Sequence, residues 1–197
     1  LDSVKEYSIA ISACGRSRDP YRALELFEEM KASPGLEPNA ISFNAVISAC
    51  AKGGQWERAL ALLAEMRTRG IEPNVISFSA AISACEKGGQ WERALSLLEE
   101  MPTRGLEPNV ITLNAVISAC EKGGQWERAL ALLKEMQTQG PEPDVISFNA
   151  AISACAKGRQ WERALSLFEE MQARGVKPDA ISFNAAISAC EKGGQWE

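Results

Sequence analysis

The chain has 197 residues, 46% of them apolar, and its 21 Lys and Arg against 26 Asp and Glu leave a net charge of -5. That is enough apolar matter for a core, and it gives no general signal for a polyanionic partner. Histidine is absent, which removes the commonest general base and metal ligand, and no apolar run approaches the ~20 residues of a membrane span.

No basic-then-apolar leader opens the chain, and Leu1 in place of a start methionine reads as a segment or a processed product. Asp19-Pro20 is the first clear boundary. An N-cap followed by proline at the first helical position predicts a helix starting there. Next, Phe43, Val46, Ile47 and Cys50 recur at i, i+3, i+4 and i+7, the apolar stripe of a helix over 42–52. Gly53-Gly54 ends it, since glycine takes the left-handed cap geometry cheaply. A second helix is predicted over 56–68, with Trp56, Ala59, Leu60, Leu63 and Met66 inward and Glu57, Arg58 and Glu65 in water. Gly70 stops it, and Pro73 forbids continuation. The pair then returns, and Pro102 is predicted to fray the last turn of its helix.

The return is strict. Trp56, Trp91, Trp126, Trp161 and Trp196 stand 35 residues apart, as do Cys50, Cys85, Cys120, Cys155 and Cys190. Cys14 is one residue further off, because 31–39 holds one residue more than 67–74. Residues 75–109 and 110–144 differ at about ten places of 35. Self-similarity at this period marks a solenoid of stacked helix pairs, none of which buries its apolar face alone. Equivalent cysteines in stacked units sit roughly a helix diameter, ~10 Å, apart, beyond disulfide reach. They read as small packing residues in a reducing compartment, and the tryptophans as core or inter-repeat packing. The last copy breaks off at Glu197, just inside a second helix, and no polar capping helix is visible. Further repeats are expected on one or both sides unless the ordered part ends there.

Catalysis has no foothold in these residues. There is no CxxC pair, no His-x-Glu with Cys-x-x-Cys, no Gly-rich phosphate loop and no nucleophile–base pair. Glu99-Glu100 reads as a solvated helix surface. No enzyme activity, metal, cofactor, membrane or small-molecule substrate is expected.

A 35-residue helix pair opening on "VISFNAxISAC" and closing on "ALxLLxEMxxxGxxPN/D" resembles the pentatricopeptide repeat family, in its 35-residue P-type form. The tetratricopeptide repeat, at 34 residues, places its aromatics differently. The resemblance implies an all-α fold, a right-handed α-solenoid superhelix of stacked antiparallel helix pairs. Its units would be 4–39, 40–74, 75–109, 110–144, 145–179 and a partial 180–197. Single-stranded RNA is the implied partner, read at one base per repeat, in mitochondria or chloroplasts, for RNA processing, stability or translation. A protein-binding helical scaffold within a larger organellar ribonucleoprotein complex is the alternative.

In the family the fifth and last residues of a unit read the base edge. The fifth residues here are Ser8, Asn44, Ser79, Asn114, Asn149 and Asn184; the last are Asn39, Asn74, Asn109, Asp144 and Asp179. Scaffold positions barely change while these two toggle, and core packing supplies no reason for that; neutral drift is the competing account. Aspartate only accepts, which suits the ring N–H of uracil or guanine, whereas asparagine can also donate, which suits cytosine or adenine. Serine leaves room for a purine and asparagine reaches to a pyrimidine. By the family's code the units read 5′-A-C-A-U-U-Y-3′. The second residue packs between bases in the family: here Ile41, Ile76, Ile111, Ile146 and Ile181, while Lys5 departs from this in the first unit. Ile41, Asn44 and Ser48 share one helix face, opposite the apolar stripe.

The thirteenth residue, a phosphate contact in the family, is Arg16, Lys52, Lys87, Lys122, Lys157 or Lys192. Each is equally placed to meet its own helix C-terminus. The glutamates fall mostly on the second helices, so a basic stripe fits within an acidic whole. Glu86, Glu121 and Glu191 directly precede three of the lysines and are expected to weaken that stripe.

Overall fold

The computed structural model describes residues 1–194; the expected helix start at Trp196 and Glu197 lies outside them. Eleven helices and no strand occur among the described residues. They are α1 (Val4–Arg16), α2 (Pro20–Ala32), α3 (Ala40–Lys52), α4 (Trp56–Thr68), α5 (Val75–Lys87), α6 (Trp91–Thr103), α7 (Val110–Lys122), α8 (Trp126–Gln139), α9 (Val145–Lys157), α10 (Trp161–Ala173) and α11 (Ala180–Gly193). They fall into two compact units, 1–107 and 108–197. In the first, α1, α3 and α5 pack side by side as one layer; in the second, α7, α9 and α11 do. Each even-numbered helix lies against its own partner, and α2, α4, α8 and α10 also rest on the odd helix that follows.

That double contact explains the core. Phe43, Val46, Ile47 and Cys50 are fully buried, as their spacing predicts. On α4 the buried set is Ala59, Leu62, Leu63 and Met66, whereas Leu60 is only half-buried. The single stripe read from the sequence is corrected here. A helix wedged between α3 and α5 buries a wider arc, which takes in Leu62 and turns Leu60 to the rim.

Trp56, Trp91, Trp126 and Trp161 are half-buried, so they edge the core instead of filling it. Trp56 packs from α4 onto Gly88 of the next repeat; a Cβ there would lie 2.3 Å from the indole Cδ1. Trp126 covers Gly158 and Trp161 covers Gly193 in the same way, and Pro20 covers Gly53. The guanidinium of Arg93 lies 5.3 Å from the Trp56 ring centre, and that of Arg163 lies 5.1 Å from Trp126, a cation over an aromatic face. In the turns at Gly53-Gly54 and Gly88-Gly89 the two glycines therefore do different work. The first is small because an indole or proline ring sits on it. The second, such as Gly54 at φ 73° or Gly89 at φ 68°, supplies the left-handed turn.

Asp19 caps α2 as predicted, its carboxylate accepting from the Arg22 amide at 3.0 Å. The expectation at Pro102 is overturned: α6 continues through Thr103 with the proline inside its last turn. Proline withdraws one donor, but the closing turn still forms. Gly105 donates to the Pro102 carbonyl at 2.9 Å and Leu106 to that of Met101 at 3.0 Å. Cys50, Cys85, Cys120 and Cys155 are buried packing residues, and burial pushes each thiol up to about 11.

Candidate nucleic-acid interface

The site begins with a local folding requirement. Asn39, Asn74, Asn109, Asp144 and Asp179 are the N-caps of α3, α5, α7, α9 and α11, each in extended backbone. Oδ1 of Asn74 accepts from the amides of Ile76 and Ser77 at 3.0 and 3.1 Å; Oδ1 of Asp144 accepts from Ile146 and Ser147 at 3.0 Å each. Ser42, Ser77, Ser147 and Ser182, all fully buried, take a bond back from the cap's own amide. This reciprocal box is worth on the order of 1 kcal/mol per cap. It supplies a reason for a short acceptor at these positions, but none for the toggle between Asn and Asp, since both cap alike. The Asx-x-x-Ser spacing in "NAIS", "NVIS" and "DVIS" is the signal that reveals the box.

Three of the boxes reach back to the preceding odd helix. Asn44 Nδ2 donates to Asn74 Oδ1 at 3.3 Å, and Ser77 Oγ donates to Asn44 Oδ1. In the second unit Asn114 Nδ2 donates to Asp144 Oδ1 at 3.0 Å and Asn149 Nδ2 to Asp179 Oδ1 at 3.0 Å. Ser147 and Ser182 close those triads onto Asn114 and Asn149. The structure thus brings together three of the paired positions read from the sequence. Asn114 and Asn149 are only 7% exposed, while the capping partners reach the surface.

The bonds leave a defined remainder. In Asp144 and Asp179 every hydrogen bond runs to Oδ1, and Oδ2 accepts none among the described residues. Asn74 likewise spends Oδ1, leaving Nδ2 undonated. Because backbone amides face Oδ1, the amide orientation is dictated by the donors. Asparagine and aspartate therefore cap identically and differ at one outward atom, a donor in one and an acceptor in the other. Burial raises the Asp144 pKa, but the Ser147 amide and the Asn114 side chain outweigh it and hold the carboxyl below the ordinary range. The Ser182 amide leads the same downward shift at Asp179.

Serine at the fifth position bonds back within its own helix. Ser8 Oγ turns to the Val4 carbonyl at 2.7 Å, and Ser42 Oγ then donates to the Asn39 carbonyl at 2.8 Å. Ser79 bonds to the Val75 carbonyl at 2.7 Å. Asn109 caps α7 in the second unit, accepting from the Thr112 amide at 2.9 Å. Asn184 is exposed on α11.

Ile41, Ile76, Ile111, Ile146 and Ile181 are 55–70% exposed, each two residues past an N-cap. Small Ser12, Ser48, Ser83, Ser118, Ser153 and Ser188 lie half-buried two turns along the same face. Arg16, Lys52, Lys87, Lys122, Lys157 and Lys192 are exposed in the last turn of each odd helix. In the first unit one groove of about 610 Å³ collects Lys5, Ser8, Ser12, Arg16, Asn39 and Ile41. An apolar wedge, a polar pair, a small floor and a cation thus border one space.

Such a molecule is an all-helical repeat protein whose variable polar atoms sit at the repeat junctions. A family model described as the pentacotripeptide-repeat region of PRORP matches residues 2–144, and the PPR repeat family model matches 143–192. The chain belongs to the pentatricopeptide repeat family. A chloroplastic pentatricopeptide repeat-containing protein of Arabidopsis thaliana is 41% identical over 64 residues, 32% of this chain and 8% of that protein. The crystal structure of PPR10 from maize superposes with a TM-score of 0.79 at 33% identity, over 99% of this chain and 28% of that one. PPR10 in complex with an 18-nt psaJ RNA element gives 0.81 at 27%, over 98% and 28%. The chain therefore spans a small fraction of each of these relatives.

Proposed function

We propose that the chain binds single-stranded RNA, one base per repeat, with units 4–39, 40–74, 75–109, 110–144, 145–179 and 180–197 in register. The reading rests on one observation above all: the Asn114–Asp144 bond spends the capping oxygen and leaves Oδ2 as an acceptor beside an exposed Ile146. Oδ2 of Asp144 and Asp179 accepts the ring N–H of uracil. Nδ2 of Asn74 donates to the ring nitrogen of cytosine. Ser8 and Ser79 leave the space a purine needs, and the site is 5′-A-C-A-U-U-Y-3′. The isoleucines wedge between bases, and the cations of the thirteenth register take backbone phosphates. The RNA bound by the maize relative and the chloroplast address of the Arabidopsis one support an organellar setting, in RNA processing, stability or translation.

Asp144→Asn tests this, because it keeps the cap and changes only the outward atom. Against RNAs differing at the fourth letter, the variant is expected to exchange a uracil preference for a cytosine preference, by ~1–3 kcal/mol if each base contact has its usual worth. Identical preferences in parent and variant would refute the assignment.

A further inference from the structure

The register just before each cation is a feature of the odd-numbered helices that the base-reading scheme does not use. It holds Gly15, Ala51, Glu86, Glu121, Ala156 and Glu191 in successive repeats. In the second unit its consequence is visible. Glu121 Oε1 lies 2.6 Å from Lys157 Nζ and accepts from Ser153 Oγ at 2.8 Å. The carboxylate is 15% exposed and the lysine 45%. Glu121 thus reaches from α7 across to α9 and occupies both the cation and the small hydroxyl of the next repeat. Where the register is Gly15, Ala51 or Ala156, no such carboxylate exists. Lys52, Lys87 and Lys192 make no ion pair among the described residues.

We infer that this register sets how strongly each repeat holds the RNA backbone, with Glu121 competing against phosphate for Lys157. The inference rests on the RNA-binding reading above. A phosphate approaching Lys157 must displace a carboxylate or sit beside one, and like charges repel over that distance. Repeats with glycine or alanine before the next cation clamp the backbone; a glutamate there loosens it while leaving the base pocket untouched. Two independent dials result, one for base identity and one for backbone grip. The sequence context supports free exchange, since α5 and α9 carry nearly the same letters with Glu86 in one and Ala156 in the other.

The test measures Kd by fluorescence anisotropy, across a salt series, with labelled RNA containing 5′-ACAUUU-3′ and with oligo(U). Glu121→Ala is expected to bind ~2- to 5-fold more tightly, with a log–log salt slope steeper by up to ~0.7, one phosphate's worth. Ala51→Glu should weaken binding and flatten the slope by similar amounts. Removing the exposed α8 carboxylate, Glu127→Ala, changes net charge equally and should do little. Adding Lys157→Ala should abolish the effect of Glu121→Ala. If the parent binds RNA while Glu121→Ala and Ala51→Glu leave Kd and slope unchanged, or if Glu127→Ala acts equally, the inference falls alone. A parent that binds neither RNA overturns both readings.

Discussion

Oδ1 of Asp144 collects donors from the first turn of α9 and from Asn114 on α7, and Oδ2 is what remains. A residue that must cap a helix is thereby also able to present either a donor or an acceptor without cost to the fold. Two consequences separate these roles. Asp144→Ala removes cap and outward atom together and should destabilise by ~1 kcal/mol, read as a lower urea midpoint; Asp144→Asn should not. An equal loss in both variants would show that charge, not the cap, is what matters. The titration follows in sign. Both carboxyls are held below the ordinary aspartate range, so the unfolded chain takes up their protons first as pH falls. Their contribution is complete above the ordinary aspartate value and is lost as pH drops through the lowered folded values. The acid limb of stability against pH should flatten in Asp144→Asn with Asp179→Asn, and a limb unchanged from the parent would contradict these shifts.

Between helices, small residues carry as much information as large ones. Gly88 is the C-cap of α5 at φ -81°, a conformation open to any residue, yet a Cβ there would collide with the Trp56 indole. Gly88→Ala should cost ~1–3 kcal/mol by overpacking. In a Trp56→Ala background the same change should cost much less. Equal costs would mean that the glycine is needed for its backbone and not for the ring above it. Helix existence, type and most ends were legible from apolar spacing, Gly-Gly pairs and Asp19-Pro20, because those signals act within one turn of chain. The burial of Leu62 and the rim position of the tryptophans were not, because each depends on a helix one repeat away. Pro102 misled for a related reason: closure by Gly105 and Leu106 rescues the turn that proline alone would open.

Across the whole molecule a net charge of -5 coexists with one exposed cation in this register per odd-numbered helix. Distribution, not total, decides whether a phosphate backbone is attracted. Six engaged cations would give a salt slope near -4, at about -0.7 each. With Lys157 held by Glu121 the measured slope should be shallower than that. A slope near zero would mean that the cation row does not meet phosphate at all.

The sequence by itself determined the period, the helix pairs, the family and the list of toggling positions, because a repeated chain displays in every copy what is scaffold and what is not. It also placed Asn114 and Asp144 as the fifth and last residues of one unit. Only the tertiary structure decided which atom of each side chain is spent and which is left. Thirty residues of chain separate those two groups, and their 3.0 Å bond exists only once α9 has stacked on α7. Hydrogen bonds are made between atoms, and a string of letters does not say which oxygen the backbone will claim first.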